Sequence, residues 1–324
     1  MSTKYSLVVG LACAVLGGGS IAAQAQNYPT KPVRILVPFT AGSQTDITAR
    51  LVASRLYEAW GQQVVVDNRG GAGGTVGTGI AAEATPDGYT LLAHSSGYAI
   101  APALYPKWKV NMQRDFKPIT TLVATPHVIV TSPNLGPKNL KEFIEFARKK
   151  GEGFTWSSAG SGSGTHFCGE IFMLAAKLNH NHVAYKGTPE ALVDAITGRV
   201  NVFFSPLGAA MPFIRDGKAL ALAVTSTERN PALPNVPTAA EAALPGFQVD
   251  LWFILAAPGK TPKAVIDRIW SDVTKVLRAP DIVKNFGATG VVTVPRPVAE
   301  TEAFVAHELK TYAEVAKAAK IPTF

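Results

Sequence analysis

The sequence predicts an α/β protein of two lobes whose chain crosses between them twice. Three observations carry this expectation. Short β-branched runs alternate with segments of helical periodicity, the pattern of parallel α/β architecture. The length, 324 residues, exceeds what a single core usually organises. No long linker interrupts the chain, so the second lobe is expected as an insertion within the first. Composition agrees: 47% hydrophobic and 17% charged residues supply buried cores and exclude a coiled coil or a disordered chain.

Residues 1–25 read as an export signal. Lys4 gives a positive start, an apolar run follows from Leu7 to Leu16, and Gly17-Gly18-Gly19 breaks it. Ala23-Gln24-Ala25 then fits the small-x-small cleavage rule. The run falls short of the about 20 apolar residues that span a bilayer. Cleavage after Ala25 starts the mature chain at Gln26 and removes Cys13. Cys168 is then a lone thiol, read as a small buried hydrophobe.

The elements follow in order. Residues 33–39 form a β-branched run, and 45–60 repeat Ile47, Leu51, Leu56 and Trp60 at helical spacing. Residues 64–66, 89–93 and 122–124 read as strands of the first lobe. Residues 127–130 open the second, followed by an amphipathic helix over 138–150 with Leu140, Phe143, Ile144 and Ala147 on one face. A strand at 154–156 and a helix at 166–178 come next. Thr188 is expected to cap a further helix, with Pro189 and Glu190 suited to its first turn and Gly198 ending it. Strands at 200–204 and 220–225 precede a proline-rich surface excursion over 230–245. A strand at 251–256 and helices at 262–278 and 298–319 complete the chain. The expected lobes are therefore 26–126 with 249–324, and 127–248, with two crossing strands as a hinge.

Charge narrows the chemistry. The formal net charge is +8, but acids lie among the bases, as in Lys141-Glu142, and no basic stripe with interleaved aromatics appears. Nucleic acid is not an expected partner; an anionic small molecule is. Two strand-to-helix turns share one design. Phe39-Thr40-Ala41-Gly42-Ser43 leads toward Asp46, and Ser157-Ser158-Ala159-Gly160-Ser161-Gly162-Ser163 leads toward His166. Glycine admits close approach to the backbone, and the free N–H groups of the following helix face a ligand with positive partial charge. Each turn is a carboxylate cradle or an ordinary connection.

Sharper motifs fail. The serines of 160–164 have the wrong parity for a nucleophile elbow. Gly259-Lys260-Thr261 lacks the first glycine of a P-loop, Ile254 standing there. Gly77, Gly79 and Ala82 lack the strand and the acid of a dinucleotide site. His180 and His182 share a strand face with no further ligand cluster. No metal or cofactor is expected. Asp46 complements a helix dipole or meets a ligand; His166 donates to an anion or caps its turn. Phe39, Tyr98, Phe204 and Trp252 stack on a ligand or fill the core. Lys186 pairs with an anion or points to solvent.

These stretches, taken in order, resemble the Bug-type receptors, the extracytoplasmic solute-binding proteins of tripartite tricarboxylate transporters. The resemblance is carried by Tyr28-Pro29, Lys31-Pro32 and Arg34, by Pro38-Phe39 with Gly42 and Asp46, by Asn68-Arg69 with Gly71 to Gly74, and by Pro86-Asp87-Gly88-Tyr89-Thr90. It continues through Tyr185-Lys186-Gly187, Ala223 to Ser226, Pro234 to Thr238, and Trp252. It implies a periplasmic binding-protein fold of type II that closes on a carboxylate held by backbone groups and ordered waters. By position the site would comprise Phe39, Thr40, Ala41, Gly42, Ser43 and Asp46, with Ser96 and Gly97. The second lobe would add Ser157, Ala159, Ser161, Gly162, Ser163, His166, Tyr185 and Ser205. Ser205 stands where many such receptors have Asp, which disfavours an amino-acid ligand; a di- or aromatic carboxylate is expected. The expected protein is a monomeric, non-enzymatic receptor that works with transporter membrane subunits or a sensor. Its rivals are a ligand-sensing module without transport and a secreted hydrolase using Ser163, with His166 three residues on.

Overall fold

The computed structural model describes residues 28–324; the expected export signal lies outside them. The strands are β1 (Val33–Val37), β2 (Val64–Asn68), β3 (Thr90–Ser95), β4 (Phe116–Thr131), β5 (Thr155–Ser158), β6 (Asn181–Ala184), β7 (Val202–Pro206), β8 (Leu220–Val224), β9 (Asp250–Pro258) and β10 (Val292–Thr293). The apolar run of β1, buried apart from Arg34, pairs in parallel with β2 and β3. β9 pairs antiparallel with β3, and β4 with β9, so the first sheet reads β2-β1-β3-β9-β4. The second reads β8-β4-β7-β5-β6, with β5 parallel to both neighbours.

The two sheets share β4. Its ladder with β9 ends at Pro126↔Asp250, and its ladder with β7 begins at His127↔Pro206. Sequence reading expects two strands, at 122–124 and 127–130; the structure has one of 16 residues. A proline, which cannot donate to a ladder, is tolerated at Pro126 because the partner strand changes there. The chain returns alongside: Thr225 Oγ1 donates to Val249 O at 2.7 Å, and Thr225 N–H to His127 O at 2.9 Å. Two adjacent crossings thus join the lobes.

Helices cover both sheets, as buried parallel strands require. In the first lobe these include α1 (Gln44–Trp60), α2 (Thr75–Ala82), α3 (Gly97–Leu104), α9 (Lys263–Arg278), α10 (Pro280–Gly287) and α11 (Val298–Ala318). In the second they are α4 (Leu140–Lys150), α5 (Gly164–Ala176), α6 (Thr188–Ile196), α7 (Leu207–Arg215) and the short α8 (Ala239–Ala242). Thr188 is the first residue of α6 rather than its cap, which is Gly187. Five helices, α2, α3, α7, α8 and α10, are not read from the sequence; each spans at most nine residues and three contain proline. Cys168 is buried, and burial pushes its thiol pKa well up, which keeps it unreactive. Among the described residues no helix is long and apolar enough to cross a membrane.

Candidate functional site

The two Gly/Ser turns close in the same way. In the first lobe Ser43 caps α1: Ser43 Oγ accepts from Asp46 N–H at 3.3 Å and Ser43 O from Ile47 N–H at 2.9 Å. The Asp46 carboxylate turns back to accept from Gly42 N–H at 2.9 Å. In the second lobe Ser163 Oγ accepts from His166 N–H at 3.2 Å and Ser163 O from Phe167 N–H at 3.0 Å. There His166 Nδ1 accepts from Gly162 N–H at 3.3 Å. Gly42 and Gly162 stand at φ +81° and +83°, backbone conformations that favour glycine.

A helix leaves its first N–H groups without intrahelical acceptors. The caps satisfy the third residue of each helix. The N–H groups of Gln44 and Thr45, and of Gly164 and Thr165, remain without an acceptor among the described residues. These four residues line one interlobe cavity. Thr188 and Pro206 bring the starts of α6 and α7 to its wall beside Ser95 of β3, and Phe39, Leu251 and Phe253 give it an apolar floor. Four helix N-termini therefore meet at a cavity with no ionisable side chain in its lining. Each carries about half a positive charge, so the enclosed space favours an anion. It measures about 20 Å³, on the order of one water molecule, so a carboxylate fits only when the lobes stand slightly farther apart.

The lobes touch closely around it. Thr40 Oγ1 donates to Glu190 Oε2 at 3.0 Å, and Tyr105 OH to Ser161 O at 2.9 Å. Asn230 Nδ2 donates to Gly290 O at 3.1 Å. Gly187 has no room for a side chain: a Cβ there would lie 1.9 Å from Thr40 Oγ1.

The expected residues divide. Phe39, Ser43, Ala159 and Ser163 line the cavity. Gly162 shapes its turn; Ser96 is buried beside Gly164, its Oγ without a partner, and Gly97 follows at the start of α3. Thr40, Ser161 and Tyr185 lie at the seam, and Ala41 and Gly42 are exposed. Asp46 is bound to its own turn and to Arg50 Nε at 3.0 Å. Ser157 Oγ donates to Ala191 O at 3.0 Å, and Tyr185 OH donates to Asp194. Ser205 Oγ donates to Pro206 O at 3.1 Å, one residue from the cavity.

His166 lies behind the turn, stacked on Trp156 and tilted against His182, with Nε2 3.4 Å from Glu170. His180 and His182 thus have a third imidazole beside them, brought from α5, which sequence reading missed. Among the described residues no such group is arranged to hold a metal. Burial holds His94, behind the first turn, neutral down to a pKa of about 4. Burial, then repulsion from His166 and His180, takes His182 to about 3.

Tyr98 and Phe204 are core residues, and Lys186 is exposed at the seam. Trp252 points away from the cavity and donates to Glu308 at 2.7 Å. Its neighbours Leu251 and Phe253 supply the floor instead, because side chains alternate along a strand. A larger groove, of about 580 Å³, lies beside the crossing strands. Its walls are mostly apolar and receive no helix N-terminus.

Comparison with known proteins identifies the fold and the family. BugT of Bordetella pertussis is 34% identical over 319 residues, covering 97% of each chain. The structure of the periplasmic binding protein BugD superposes with a TM-score of 0.88 at 34% identity, covering 92% of this chain and all of that one. MatC from Rhodopseudomonas palustris, solved with bound malate, gives a TM-score of 0.84 at 32% identity, over 89% of this chain and 99% of its own. This is the two-lobed periplasmic binding-protein fold. The model of the tripartite tricarboxylate transporter family receptor matches residues 48–321, and the chain belongs to that family.

Proposed function

We propose that this solute-binding protein captures a small dicarboxylate outside the cytoplasm and presents its closed form to the membrane subunits of a tripartite transporter. One observation carries the reading: four free N–H groups, a pair from each lobe, meet at a cavity without charged side chains. Main-chain dipoles hold an anion without a counter-ion that would itself need burying. The malate bound to MatC supports a ligand of this class. The switch of β4 between sheets at Pro126 and His127 supports a hinge there, with lobes 28–126 plus 249–324 and 127–248. A carboxylate touching both turns favours the closed state by its differential affinity.

The hydrolase reading finds little support. Ser163 Oγ meets Thr165 Oγ1 and the His166 main-chain N–H, while His166 Nδ1 is engaged by Gly162, so no base faces the hydroxyl.

The test is a thermal shift panel of malate, adipate, benzoate and glutamate, on protein unfolded and refolded to strip carried ligand. A ligand at 100 times its dissociation constant adds about 2.7 kcal/mol, a rise of several degrees. The reading expects that rise with a dicarboxylate. A flat panel, or turnover of a model ester lost in Ser163→Ala, would overturn it.

A further inference from the structure

The groove beside the crossing strands encloses about 580 Å³, and the anion site makes no use of it. It shares one residue, Leu251, with the interlobe cavity. Its walls belong to both lobes: Phe167 and Ile171 of α5 face Trp252, Phe304 and Val315 of the first lobe. The edge-to-face pair of Phe167 and Tyr312, 5.0 Å between centroids, joins the two walls. The dimensions of this groove are therefore set by the angle between the lobes.

Its charged groups are unequal. Glu308 is engaged by the Trp252 indole, and Asp250 accepts from Gln248 Nε2 at 2.8 Å. Arg296 has no carboxylate within 4.0 Å among the described residues. Its guanidinium lies 4.2 Å above the Phe304 ring and donates only to Thr121 Oγ1, at 3.1 Å. Its backbone is fixed on both sides, N–H to Thr120 Oγ1 at 3.1 Å and O from Trp270 Nε1 at 2.9 Å. A preorganised guanidinium at an apolar wall, with donors to spare, is a fitting head-group site for an anion.

We infer that this groove is a second binding site, for an amphipathic anion: an extended apolar body carrying one carboxylate or sulfonate that meets Arg296. An occupant that fits the groove at the present lobe angle holds the lobes at that angle. This dependence on closure, though not the site itself, rests on the hinge reading above.

Calorimetric titration of the full chain with decanoate tests the site, with decyltrimethylammonium as the charge control. One equivalent of decanoate is expected to bind and the cation is not. Arg296→Gln should weaken binding about tenfold, with Arg296→Lys restoring part of it, and Ile171→Trp should fill the groove and abolish it. Gly187→Val, which props the seam apart at a distance, should weaken binding. Equal binding of the cation or indifference to Arg296→Gln would overturn the site. Indifference to Gly187→Val alone would leave the site and remove its link to closure. Arg296 is only partly buried, so Arg296→Gln remains informative if Ile171→Trp fails to fold.

Discussion

Residues 40–47 and 160–167 build one turn twice from different side chains. In both, a glycine with positive φ precedes a serine cap, and the third helical residue folds back to accept the glycine N–H. That residue is an acid in one lobe and an imidazole in the other. Each leans on a partner one turn along, Asp46 on Arg50 at 3.0 Å and His166 on Glu170 at 3.4 Å. What the two lobes share is main-chain geometry, so the proposed anion site depends on backbone N–H groups and tolerates opposite chemistry behind them. They differ most at the first helical residue, Gln44 against Gly164. A Cβ at Gly164 would stand 2.6 Å from Ser96 Oγ and 2.7 Å from Leu251 Cδ1.

Acid should damage both halves of this comparison most. Each turn is backed by an imidazole kept neutral, His94 at about 4 and His182 at about 3, and the crossing carries His127 at about 4. The unfolded chain protonates all three near pH 6.5, and the folded protein does not. Stability is therefore complete above about pH 6.5 and falls as pH drops toward 4, by about 1.4 kcal/mol per pH unit for each fully buried group. Denaturant midpoints measured from pH 7.5 to 4.5 check the slope; a flat profile would mean that these rings are solvated.

The asymmetry at the first helical residue should show in affinity. Gly164→Leu overpacks the cavity and should cost about 1–3 kcal/mol of binding, about ten- to a hundredfold. Gln44→Ala removes a side chain but no N–H group and should change affinity less than about threefold. Titration with whichever dicarboxylate shifts the melting temperature reads both. The caps should behave alike: Ser43→Ala and Ser163→Ala should each lose about 1 kcal/mol of stability, and unequal losses would break the equivalence of the turns. The smallest effect is expected from Arg50→Ala. Its side chain is 53% exposed, and loss of that screened pair should cost no more than about 0.5 kcal/mol, with ligand affinity unchanged.

Both turns were legible in the sequence because glycine and hydroxyl residues between a β-branched run and a helical repeat have few other uses. Leu251 and Phe253 were not. β9 is buried from Leu251 to Pro258, so no polar alternation marks which parity faces the cleft, and Trp252 drew attention by its size alone. Thr188 and Pro206 reach the cavity only through the pairing of the second sheet. Asp46 and His166 stood out as ionisable groups near glycines, but the fold turns both toward their own turns. The imidazole cluster joins residues of α5 and β6, a proximity that local pattern does not reveal. The unbroken course of β4 through Pro126 was hidden because proline ordinarily ends a strand.

The most direct test follows the amide protons of Gln44, Thr45, Gly164 and Thr165 by nuclear magnetic resonance during titration with the dicarboxylate. A carboxylate gripped by both lobes should move all four downfield together, saturating at one equivalent, while surface amides stay put. Movement of one lobe's pair alone, or of neither while the ligand binds, would contradict a site shared by the two turns.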